Sequence, residues 1–99
     1  MLLLTFLSKN IMKDKINEQL IAIREVILDA KEKQRGLDCG VGESLNVYRD
    51  LILKSLSGKK KSFMIKIIPP IEIKEKGNIN VDSALSMVEQ LLLLNFGKN

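Results

Sequence analysis

The chain of 99 residues has no histidine and no tryptophan, a single cysteine (Cys39), one tyrosine (Tyr48), two prolines and only three arginines. Without histidine it lacks the commonest general base and the commonest transition-metal ligand. One cysteine closes no internal disulfide and cannot by itself supply a multi-cysteine zinc site. The flank Leu37-Asp38-Cys39-Gly40 sets an acid beside the thiol, not the base or cation that a reactive thiol needs. Long apolar runs are also missing. Beyond the first residues the longest, Leu20–Ile23 and Leu91–Leu94, fall far short of the ~18 residues of a membrane span. The opening run Leu2–Leu7 has no basic residue before it and no small-x-small cleavage site after it, so it does not read as a secretory signal. These absences predict no metal, no cofactor, no membrane span and a cytoplasmic, reducing location. They also argue against an enzyme, because the carboxylates are scattered along amphipathic faces with nothing to pair them.

What is present is apolar mass. Hydrophobic residues make up 45% of the chain, and most are large: leucine and isoleucine dominate, with only three alanines. That is enough for one core and one domain, 1–99, with 1–11 as a dispensable extension if Met12 is the true start. The composition is rich in Ile, Lys, Leu and Asn and poor in Ala, the style of A+T-rich genomes. This adds the expectation of a viral or mobile-element accessory protein that binds a host protein.

Periodicity predicts three helices. Ile16, Leu20, Ile23, Ile27 and Ala30 are spaced four, three, four, three, a heptad seam within a helix over about 10–35. Ser8 or Asn10 is the expected cap and Gly36 the expected stop. Leu45, Tyr48, Ile52 and Leu56 place a second helix at about 43–57, with Glu43, Asn46, Arg49, Asp50 and Lys54 facing water and Gly58 closing it. Leu85, Val88 and Leu92 beside Ala84, Met87, Leu91 and Leu94 place a third at about 81–96, capped by Asn80 or Asp82. Between the last two the period shifts to 2. Phe63, Ile65 and Ile67 alternate over about 62–68, and Ile71-Glu72-Ile73-Lys74-Glu75 alternates over 71–75. The expected fold class is therefore α+β, mainly helical: three helices with a short two-segment β element between the second and third.

Two motifs fail on inspection. Gly36, Gly40 and Gly42 precede a helix, but Val41 and Leu45 stand where either phosphate-binding pattern needs glycine. The first two expected helices are joined by a loop too long for a DNA-binding helix-turn-helix.

Net charge is +4, and the excess lies in one place: seven lysines against Glu72 and Glu75 between Lys54 and Lys76. Lys59, Lys60, Lys61 and Lys66 could contact phosphates, although the arginines suited to bidentate phosphate and base contacts lie elsewhere. The leading expectation is a non-enzymatic protein-interaction module and homodimer. Its interface would be Ile16, Leu20, Ile23 and Ile27 with Leu91, Leu92 and Leu94, on a seam and a last helix more apolar than one small core should need. The alternative is a sequence-nonspecific nucleic-acid binder using the four lysines.

Overall fold

A computed structural model describes residues 2–73 and 78–96; side chains of 2–12 and of Phe96 are outside the description. Four helices follow in order: α1 (Leu2–Glu32), α2 (Cys39–Lys54), α3 (Gly58–Ile67) and α4 (Val81–Phe96). The molecule measures 48 × 26 × 23 Å, and the long axis is that of α1. Its 31 residues at about 1.5 Å each account for the length.

The first helix and the last run antiparallel. Lys31 pairs with Asp82 at 3.2 Å, Arg24 with Glu89 at 3.4 Å, and Asn17 with Asn95 through their side-chain amides. Those three α1 positions are seven apart, so each contact advances two turns along both helices. Between them the heptad seam closes on α4. Leu20, Ile27, Ala84, Val88 and Leu91 are fully buried, with Ala30 and Met87 nearly so. The Asn17–Asn95 pair, both residues under a tenth exposed, continues this contact, and Asn95 also donates to the Lys13 carbonyl. A slip of one turn would leave both amides buried and unpaired, so the pair fixes the register of α4 on α1.

Termination of α1 differs from expectation. The chain turns at Gln34, which takes φ +54°, and the Arg35 amide reaches back to the Ala30 carbonyl. The left-handed cap therefore falls on glutamine, two residues before Gly36. Gln34→Gly is expected to raise stability by about 0.5–1 kcal/mol, because glycine adopts this conformation without steric cost; a denaturant midpoint displaced upward would show it. Asp29 is bound by Lys33 at 3.1 Å and by Arg35. The hydrogen bonds from Lys33 first, then Arg35, hold its carboxyl below the usual aspartate range. The stabilisation is present above the unfolded aspartate pKa and is lost as pH falls through the depressed folded value. The protection factors of the Ala30–Lys33 amides, measured against intrinsic rates at each pH, should fall modestly as Asp29 is protonated in the wild type and should lose that pH dependence in Asp29→Asn.

The β element is the main correction. Among the described residues there is no strand and no sheet, only a single antiparallel bridge between Leu37 and Ile79. The segment read as a strand over 62–68 lies in α3 and its C-cap, Ile68. Met64 and Ile68, four apart, turn toward the core, while Phe63, Ile65 and Ile67 stay exposed. A helix satisfies its backbone internally, whereas two strands without a third partner are marginal. Pro69 then ends α3 by driving Ile68 out of helical geometry, to φ −113°, ψ 80°. The second segment carries no regular secondary structure over its described residues, 71–73; 74 and 75 lie outside the described residues.

Other boundaries move as well. α1 begins at Leu2, so Ser8 and Asn10 lie within it instead of capping it. α2 begins at Cys39 and takes in Gly40, Val41 and Gly42, which were read as loop. Gly42 is buried where an added Cβ would meet Ile79 and Ile71 at 3.2–3.3 Å; it is a close-packing glycine with hydrocarbon where a phosphate would have to sit. Gly58, expected to close α2, opens α3 at φ +62°. α4 has the predicted bounds, and its cap is Asn80, whose side-chain oxygen accepts from the Ser83 amide at 2.9 Å.

Candidate docking surface on the third helix

The lysine cluster sits on an element that the rest of the molecule holds at arm's length. Only Ser55-Leu56-Ser57 separates α2 from α3, and Leu56 is buried as the pivot. No residue of α3 itself is buried. At about 100° per residue, Lys59, Lys60, Phe63, Lys66 and Ile67 fall within an arc of about 120° that excludes the inward-facing Met64 and Ile68. All five are exposed, Phe63 by 58% and Ile67 by 45%; Ile65, at 44%, borders the packed side. Lys61 is only half exposed and lies toward the packed side.

Two α2 side chains hold this helix in place. Arg49 is 9% exposed and donates from Nε to the Ile68 carbonyl at 2.6 Å and from Nη2 to the Ile65 carbonyl at 3.4 Å. These are carbonyls at the C-terminal end of α3, so the guanidinium both satisfies them and sits at the negative end of the helix dipole. Its third contact, to Asp50 at 3.0 Å, reaches a carboxylate that remains in solvent. Asn46 grips the irregular segment beyond. Its Nδ2 donates to the Ile71 carbonyl at 3.0 Å, and its Oδ1 accepts from the Ile71 amide at 2.7 Å. One side-chain amide thus does for Ile71 what a neighbouring strand would do. Asn46→Ala should cost about 1–3 kcal/mol, the penalty for stranding a part-buried amide and carbonyl, and should speed amide exchange at Ile71.

Sequence reasoning placed Asn46 and Arg49 on the solvent side of the second helix. The structure puts both inward. Arg49 shares the helical face of Leu45 and Ile52, a spacing that could have flagged it. The expected interface residues are also displaced from the surface. Leu20, Ile27 and Leu91 are fully buried, and Ile16, Ile23, Leu92 and Leu94 are half-buried against the same core. They cover one another within one chain. Of the expected phosphate contacts, Lys59, Lys60 and Lys66 share the outer face of α3.

The remaining surface is less organised. Val47 and Leu51 are exposed on the far side of α2, and Leu93 stands 72% exposed on α4. An open cleft of about 730 Å³ lies between the Pro69–Glu72 segment and the polar side of α4. Cys39 is half-buried and points its sulfur at Asp38 Oδ1, 3.7 Å away. Among the described residues no group of acidic or thiol side chains could hold a metal ion, and no helix is long and apolar enough to cross a membrane.

Fold and surface together define a small four-helix protein with one unburied, cation-rich helix. No family model, no curated protein and no solved structure matches the chain.

Proposed function

We propose that the chain is a non-catalytic protein-interaction module whose docking element is α3 and whose partner is a different protein. The observation that carries this is the exposure of Phe63 and Ile67 on a helix that buries none of its own residues. Phe63 and Ile67, four residues apart, share one face of that helix with the lysines, and adjacent exposed apolar side chains mark contact surfaces. The homodimer expectation rested on a seam that α4 already fills, so that seam no longer supports self-association. Asp82 and Glu89 each bind a cation of α1, and Asp29 binds Lys33 and Arg35 at the end of its own helix, so all three use their charge structurally.

A photoreactive side chain at position 63, compared with one at Glu43, tests the reading in the native cell. A protease-sensitive, nuclease-resistant adduct at 63 alone, lost when Lys59, Lys60 and Lys66 are changed to Glu, is the expected result. Equal adducts at both positions would sink it.

Nucleic-acid binding is favoured by one specific observation. α2 and α3 are joined by a short turn, as in a helix-turn-helix, and the second helix carries Lys59, Lys60 and Lys66 outward. A nuclease-sensitive adduct at 63 would select that reading. Base contacts would then be few, since none of the three arginines lies on α3.

A further inference from the structure

Resting on the docking role of α3, we infer that its occupant is an acidic amphipathic segment, with apolar residues that meet Phe63 and Ile67 and carboxylates that meet Lys59, Lys60 and Lys66. Charge complementarity singles out this class. From Lys54 to Ile67 there are five lysines and no acid. A second copy brought in symmetrically would set these lysines against their own equivalents, which like-charge repulsion opposes. A phosphate backbone would answer the lysines and leave Phe63 and Ile67 in water. A neutral apolar partner would cover the two side chains and desolvate the ammonium groups without compensation.

The start of α3 carries a second electrostatic signal. Its first turn has Lys59, Lys60 and Lys61 and no acid, and Ser57 makes no side-chain capping bond. Cations there oppose the positive end of the helix dipole. A helix selected for stability alone would carry Asp or Glu at these places. The carboxylates of a bound partner would relieve this repulsion, and nothing else on the face would. Meanwhile Arg49 pins the far end of α3 to α2, so the face is presented in one orientation before any partner arrives. Little ordering is then lost on binding.

The test uses the full chain and defined probes. One is a synthetic helical peptide with leucines at heptad spacing among glutamates. The second is the same peptide with every Glu replaced by Gln. The third is a short DNA duplex, and the fourth is an anionic phospholipid vesicle. The acidic peptide should bind, and binding should weaken as salt rises through about 0.1–0.5 M. Phe63→Ala should weaken it by about tenfold or more. Lys59→Glu with Lys60→Glu should abolish binding while leaving the melting temperature unchanged or higher, a combination that a purely structural role for these lysines would not give. Equal binding of the Gln peptide would overturn the acidic partner while leaving α3 as a protein-docking helix. Binding of the duplex or the vesicle alone, insensitive to Phe63→Ala, would overturn both readings. A dimer by light scattering that dissociates in Phe63→Ala would assign the face to a second copy and overturn both as well.

Discussion

Arg49→Met is expected to cost about 2–4 kcal/mol, a large part of the roughly 5–15 kcal/mol that holds a small domain together. The reason lies in the carbonyls it would abandon. Ile65 and Ile68 turn their oxygens toward the guanidinium at the end of α3, and Ile68 is 3% exposed. Methionine fills the same volume and donates nothing. The exposed Asp50, bound at 3.0 Å, contributes little, because water replaces its partner readily. Arg49→Lys should recover only part of the loss, since an ammonium is a point donor and cannot match the fork geometry of a guanidinium. The melting temperature should fall by more than about 10 °C in the Met variant. Amide exchange should show α3 opening before the α1–α4 pair. A loss confined to a few tenths of a kcal/mol would mean that the carbonyls find water instead.

The second large effect contrasts two neighbours on α4. Leu91→Ala should cost about 2–5 kcal/mol and Leu93→Ala almost nothing. Leu91 has no exposed surface and faces the α1 seam, whereas Leu93 stands 72% exposed two residues on. Removing Leu91 leaves a cavity that the rigid helix pair cannot close, while removing Leu93 trades one solvated side chain for another. Denaturant unfolding of the two variants decides this directly. Comparable losses would show that Leu93 is covered in solution, as it would be in a dimer through this face.

The consequence for function is a separation of roles along the chain. α1 and α4 spend their apolar residues on each other, and the polar Asn17–Asn95 pair fixes their register. α2 is the bracket, with Asn46 and Arg49 on one side holding the backbone of everything between α3 and Ile71. α3 is what the bracket displays.

The amino-acid sequence by itself determined the two helices that carry most of the core. The four-three spacing from Ile16 to Ala30 and the leucine-rich run to Leu94 each define a wide apolar face, and a helix is the only element that puts those residues on one side. It also determined where positive charge gathers, because charge is a property of composition. Tertiary structure decided three other things. It decided that the two apolar faces close on each other, since a face shows only that something must cover it. It decided that Phe63-Met64-Ile65-Lys66-Ile67 is helical, because alternation over so few residues fits either element until a neighbouring strand is found or not. And it decided the orientation of Arg49 and Asn46, polar residues whose burial depends on backbone groups nineteen and twenty-five positions away. The spacing of Arg49 with Leu45 and Ile52 could have marked it as inward-facing, but the carbonyls it and Asn46 bind are set by long-range contacts that leave no periodic trace, so the latch that presents α3 is visible only once the helices are in place.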